Sequence, residues 1–214
     1  MTRATTVISA ASLASVALAA GAKTYSFDQD APGKPPAGFS FARTKNVGKP
    51  GKWVVEAVKD APSGGKALGQ TDKDDTNARY PLAIAPDDAL ADLRVSVKCK
   101  GVAGDVDQAC GLVFRYKDEN NYYITRSNVL EDNVRLYYVK DGKRTQIATW
   151  DGEVPGKVWN ELAAEAKGDT FRVFFNGKQI IQHQDTTFAR GGKVGLWTKA
   201  DSVTYFDDLT VSPL

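Results

Sequence analysis

Aromatic and cationic side chains at alternating positions are the plainest chemistry in this chain. In Gly111-Leu112-Val113-Phe114-Arg115-Tyr116 and Asn133-Val134-Arg135-Leu136-Tyr137, a period of two sends successive side chains to opposite faces. Leu112, Phe114 and Tyr116 form an apolar set that belongs in a core, which leaves Arg115, Arg135 and Tyr137 on the outer side. Tyr123 or Arg126 joins them, depending on register, and Trp197 and Lys199 share a face across Thr198. Aromatic rings stack on the apolar faces of sugars, while Arg, Asn and Lys hydrogen-bond hydroxyls or pair with a carboxylate. The set fits a glycan or another small polar ligand. An ordinary exposed sheet face with cross-strand Arg–Tyr pairs has the same composition.

Catalytic groups are harder to find. Glu131-Asp132 falls in a loop between strands, and Glu161 and Glu165 lie four apart at a strand edge; all read as solvated charges rather than an acid/base pair. The sole histidine, His183, stands on the returning strand of a hairpin and cannot build a zinc site alone. It remains a lone general base or a surface residue. No nucleophile elbow, phosphate loop or dinucleotide fingerprint is present. The sequence therefore assigns no catalytic residue. Cys99 and Cys110, an even pair, read as a disulfide closing a short hairpin loop, with at most about 3 kcal/mol of stabilisation.

Short strands punctuated by turns must position these groups. Strand-like runs occupy 52–58, 93–99, 111–116, 122–127, 133–140, 145–149, 160–166, 171–175, 179–181, 193–198 and 203–211. Asp141-Gly142 and Asn176-Gly177 join adjacent runs as tight hairpins, because the primed turn needs positive φ. Residues 31–51, rich in Pro, Gly and Lys, read as loop. The acidic cluster Asp72-Lys73-Asp74-Asp75 reads as a turn. About a dozen strands without a helical period predict an antiparallel sandwich or barrel.

The N-terminus predicts export. Arg3 supplies a positive start, Val7–Ala20 an apolar run, and Ala20-Gly21-Ala22 a small-x-small cleavage pattern. That run is too short to span a bilayer, which takes roughly 20 residues. Residues 1–22 read as a signal peptide and 23–214 as one β-sandwich domain, placed in the periplasm, outside the cell or on its surface. Losing Arg3 lowers the formal charge from +2 to +1. Charges of both signs are scattered without a basic block, which argues against nucleic acid. No later apolar stretch reaches transmembrane length, and the oligomeric state is left open.

The strings Gly111–Tyr116, Asn121-Tyr122-Tyr123, Arg135-Leu136-Tyr137, Trp159, Asn176-Gly177, Gly192–Trp197 and Phe206-Asp207-Asp208-Leu209 resemble the concanavalin A-like jelly-roll superfamily. The likeness spans nearly all of residues 25–212 and is similar to laminin G-like and bacterial 3-keto-disaccharide hydrolase-like domains. It implies an all-β, two-sheet antiparallel sandwich holding ligands on its concave face, with Trp53 and Trp159 packed between the sheets. It also implies that the terminal strands pair, which would gather Asp28, Asp30, Asp207 and Asp208 as a structural Ca²⁺ site. The Glu-x-Asp-x-x-Glu signature of the superfamily's glucanases is absent. The leading expectation is an exported, non-catalytic glycan-binding module. The alternatives are a glycoside-processing enzyme resembling 3-keto-disaccharide hydrolases, or a laminin G-like protein-interaction domain. An enzyme needs a carboxylate or histidine facing the outer aromatics; a binding module does not.

Overall fold

The computed structural model describes residues 21–86, 89–188 and 191–214. The expected signal peptide, apart from Gly21 and Ala22, lies outside these residues. The strands are β1 (Lys23–Tyr25), β2 (Ser40–Arg43), β3 (Trp53–Ala57), β4 (Lys66–Gln70), β5 (Pro81–Ile84), β6 (Leu93–Ala103), β7 (Ala109–Asp118) and β8 (Asn121–Asn128). The remainder are β9 (Asn133–Lys140), β10 (Lys143–Asp151), β11 (Asn160–Lys167), β12 (Thr170–Phe175), β13 (Lys178–Gln184), β14 (Lys193–Trp197) and β15 (Val203–Pro213). No helix among the described residues is long and apolar enough to cross a membrane.

Two antiparallel sheets result. The first runs β13-β12-β11-β6-β15-β4-β3 with β1 added on β15, and the second runs β10-β9-β8-β7-β14-β5-β2. β6 shows how the pattern builds the core. Leu93, Val95, Val97 and Cys99 are buried while Arg94, Ser96 and Lys98 between them stay partly exposed, so one face is apolar and meets the other sheet. Opposite it lie Leu112, Phe114, Tyr123, Val134 and Leu136 of the second sheet. Phe114, Tyr123 and Phe171 pack ring to ring at 4.6–5.6 Å. Trp53 joins this layer against Phe206. Trp159 does not; it sits half-buried under the Lys100 ammonium, 5.1 Å from its ring, outside the inter-sheet core.

Both expected hairpins form, with φ of 51° and 72° at Asp141 and Gly142, and 47° and 79° at Asn176 and Gly177. The 31–51 segment is not all loop, since Ser40–Arg43 adds β2 to the sheet edge. The cysteines do form a disulfide, but not across a hairpin. Cys99 lies in the first sheet and Cys110 in the second, so the bridge ties the two layers and closes the loop 104–108.

The central strands of the second sheet are buried on both faces. Tyr80, Val113, Tyr122, Ile124, Tyr137, Val139 and Trp197 form a separate cluster on its outer side. The segment after β2 crosses this face, held by Thr44 Oγ1 with Tyr122 OH at 2.7 Å and by Lys45 N–H donating to Asn120 Oδ1. Arg79 anchors the cover from within. Its guanidinium donates to the carbonyls of Lys49, Asp74 and Ala200 and to Asp72 Oδ1. The 72–75 acidic cluster thus serves a buried arginine, which could not stay charged without such partners.

Candidate ligand-binding face of the second sheet

One row of β-strand partners places the central side chains. Trp197 of β14 opposes Gly111 of β7, Gly111 opposes Arg126 of β8, and Arg126 opposes Arg135 of β9. Gly111 is required here, because a Cβ would come within 2.9 Å of the Trp197 ring. Two arginines directly across a strand pair repel. The turn 129–132 resolves this by presenting Glu131, whose Oε2 lies 2.8 Å from Arg126 Nη2 and 3.2 Å from Arg135 Nη1. Arg126 also donates to Asn133 Oδ1 and, at 3.2 Å, to Tyr137 OH.

A second charged pair adjoins the first. Asp107, from loop 104–108, accepts from Lys199 Nζ and, at 2.9 Å, from Asn128 Nδ2. That loop is shaped by Asp201, whose carboxylate accepts the backbone N–H groups of Asp105, Val106 and Asp107. Exposure divides the cluster into floor and rim. The side chains of Arg126 and Asp107 are 2% and 1% exposed, whereas Glu131, Arg135 and Lys199 keep 35%, 31% and 16%.

Electrostatics differ between the carboxylates. Burial pushes the Glu131 carboxyl up, but Arg126, Asn133 and Arg135 outweigh it and hold it below the usual glutamate range. At Asp107 burial wins over Lys199, and the carboxyl is pushed up. The rim of this cluster therefore offers the fixed charged groups of Glu131, Arg135 and Lys199, which suit hydroxyl-rich ligands, while the Tyr137 and Trp197 rings lie buried beneath them.

Arg126, Arg135, Tyr137, Trp197 and Lys199 are brought together; Arg115 and Tyr123 are not. Arg115 has φ 49° at an irregularity in β7, where pairing with β8 jumps from Phe114–Tyr123 to Asp118–Asn121. The bulge inverts the alternation. Arg115 turns to the sandwich interior, its Nη2 donating to Gly168 O and its guanidinium 5.0 Å from the Phe171 ring. Tyr116 goes outward instead, packed against the outer cluster. Tyr123 lies in the inter-sheet core, its hydroxyl donating to Asp185 Oδ1 and accepting from Phe188 N–H.

Sequence reasoning missed Asp107 and Asn128 and read Glu131 as a solvated charge, whereas it bridges Arg126 and Arg135. All three belong to turns or strand ends and carry no periodic signal. Asp107's place between the two cysteines was the one available hint.

The four aspartates expected to hold Ca²⁺ do not converge. β1 and β15 do pair, with Tyr25 opposite Leu209. Asp30 nevertheless accepts from Ala37 N–H, Asp207 is bound by Ser63, and Asp208 pairs with Lys98 at 3.0 Å. Asp28 Oδ1 is buried without a hydrogen-bond partner among the described residues. Among the described residues no group of three or more His, Cys, Asp or Glu side chains could hold a metal ion. Recesses of about 340 Å³ beside Lys98 and Asp208, and about 560 Å³ beside Tyr116 and Lys193, are lined by none of the clustered residues.

Two facing antiparallel sheets with this strand order make the protein a jelly-roll sandwich. Known proteins sharpen that class. A carbohydrate-binding module, CBM66 from Bacillus subtilis, superposes with a TM-score of 0.61 at 22% identity, covering 80% of this chain and 94% of that one. The exoplasmic/lumenal domain of VIP36, in its Ca²⁺/mannose-bound form, gives 0.60 at 10% identity over 91% of this chain and 90% of that one. At these identities the likeness is one of fold. In sequence the chain is 26% identical over 104 residues to a levanase from Bacillus subtilis (strain 168), a match spanning 48% of this chain and 15% of that enzyme. No family model matches.

Proposed function

We propose that the outer face of the second sheet binds carbohydrate without cleaving it, and that the chain acts as an exported glycan-binding module. The observation that carries this reading is the buried Arg126, held by Glu131, Asn133 and Tyr137 and rimmed by Arg135 and Lys199. A sugar hydroxyl both donates and accepts, so the part-exposed Glu131 carboxylate and Arg135 guanidinium, held in place by Arg126, can bind one diol together. The rings of Tyr137 and Trp197 are buried beneath the same face and support its polar groups from below. The fold likeness to a carbohydrate-binding module and the partial match to a levanase support the assignment. They make levan the first glycan to test.

Two carboxylates on this face favour a second reading, a glycoside-processing enzyme, because their opposite shifts suit an acid/base pair. Against it, Asp107 is 1% exposed and locked by Lys199 and Asn128. Only Glu131 is reachable, and one carboxylate makes no pair.

Affinity electrophoresis of residues 23–214 through levan, inulin, mannan and glucan gels tests the reading. Retardation by at least one glycan, unchanged by EDTA and without sugar release, is expected. Sugar release would favour the enzyme, and free migration in every gel would sink the proposal. Terminal sequencing of the exported chain should begin at Lys23.

A further inference from the structure

A third arginine on the same face has a different environment. Arg144, on β10, lies with its guanidinium 4.6 Å from the Tyr137 ring centre, 4.8 Å from Tyr80 and 5.6 Å from Trp197. It borders a recess of about 250 Å³ that Thr44, Lys45, Tyr80 and Gly142 also line. Arg79, Arg94, Arg126, Arg135 and Arg172 each have a carboxylate within 4.0 Å. Arg144 has none among the described residues, and its Nη1 is buried without an acceptor. Lys45 lies across Gly142, close enough that a Cβ there would meet its Cε at 2.4 Å, and it too has no acidic partner among those residues. Stacking on rings rewards the guanidinium plane, but its edge still requires acceptors once water is excluded.

We propose that this recess receives the oxyanion of an acidic saccharide, a carboxylate or a sulfate ester; the saccharide part of this inference rests on the reading of the neighbouring face given above. The planar fork of Arg144 supplies two parallel N–H donors, which a carboxylate or sulfate accepts side by side. Lys45 adds a second cation at the mouth. A recess of this size takes one sugar ring or less. Tyr137 connects the two regions, its hydroxyl bonded to Arg126 and its ring under Arg144. One saccharide can therefore contact the Arg126 cluster with hydroxyls and the Arg144 recess with its anionic group.

Side-chain NMR of isotope-labelled protein tests this with glucuronate, a glucose sulfate ester and glucose at constant ionic strength. A saturable shift of the Arg144 Nε–H signal with either anion, and none with glucose, is expected; which anion acts identifies the source. Lys45→Ala alters an exposed side chain, and Arg144→Lys keeps the charge without the fork. Each should weaken anion binding roughly tenfold. Equal responses to glucose and glucuronate, no response to either anion, or unchanged affinity in Lys45→Ala would overturn the proposal. Levan retardation reports on the Arg126 cluster separately. Free migration in every glycan gel with an intact glucuronate response refutes the function proposed for that face and not the anion site, and the converse refutes only the latter.

Discussion

On the outer side of the first sheet, Glu165 meets Arg94 at 2.9 Å and Arg172 at 3.6 Å; on the outer side of the second, Glu131 meets Arg126 at 2.8 Å and Arg135 at 3.2 Å. The two arginine–glutamate–arginine chains are alike in distance and unlike in setting. Arg94 and Arg172 are about one-third exposed, and all three groups sit on directly opposed strand positions. Arg126 is 2% exposed, and its glutamate comes from a turn. Exposed pairs cost little and contribute little. A buried guanidinium costs several kcal/mol of desolvation unless its partners are complete. A buried charge network can serve structure, as at Arg79, or recognition, as proposed for Arg126.

The largest expected break in that comparison is Arg126→Ala, which leaves Glu131 only Arg135 and Asn133. Glycan affinity should fall at least about a hundredfold, as for a hot-spot residue, and stability in urea should drop by about 3 kcal/mol or more. Arg94→Ala should leave glycan affinity unchanged. Equal effects from the two variants would erase the distinction drawn here.

Replacing both Cys99 and Cys110 by Ala should cost at most about 3 kcal/mol in urea titrations. Because the bridge closes the loop that carries Asp107, glycan affinity should also fall, while the first sheet's Arg94–Glu165 pair is untouched. Unchanged affinity would mean that Asp201 alone fixes the loop.

Acid should separate the two carboxylates of the second sheet. Glu131 has a lowered folded pKa, so its contribution to stability is complete above its unfolded value, about 4.3, and is lost as pH falls through the folded value. Asp107 has a raised folded pKa, so the folded state holds that proton more tightly and acid favours folding at this site. Glu131→Gln should therefore flatten the acid-side loss of stability and Asp107→Asn should steepen it. Parallel melting curves across pH 3–6 for both variants would contradict these signs.

The smallest effect belongs to Glu165→Ala. A loss within about 1 kcal/mol in thermal unfolding is expected, with glycan binding unaltered.

Much of this architecture was legible in the sequence. Alternation located most strands and put Arg135 and Tyr137 outward, and Asp-Gly and Asn-Gly fixed two hairpins. Short β4 and β5 escaped because their residues are buried nearly throughout and do not alternate. Register was the next limit. Tyr123 and Arg126 differ in parity, so only the observed pairing of Phe114 with Tyr123 decides which one faces out. The disulfide was legible as a pair, but its hairpin geometry was not, since a ten-residue connection serves equally as a turn within one sheet or an arch between two. Asp107 was illegible and Glu131 read as a solvated charge because turns carry no period; their positions follow from where the strands end.

The bulge at Arg115 has a practical consequence for anyone editing this scaffold. β7 behaves as two half-strands of opposite phase joined by one residue at positive φ, with Gly192 so close that a Cβ would come within 2.4 Å of the Arg115 backbone. Deleting that one residue would not shorten the strand harmlessly. It would exchange the inward and outward rosters from Tyr116 to Asp118 and bring the wrong side chains to Lys193. Alignments of related chains, grafted loops and circular permutants should therefore treat position 115 as a phase marker, where a single gap carries more structural meaning than several substitutions beside it.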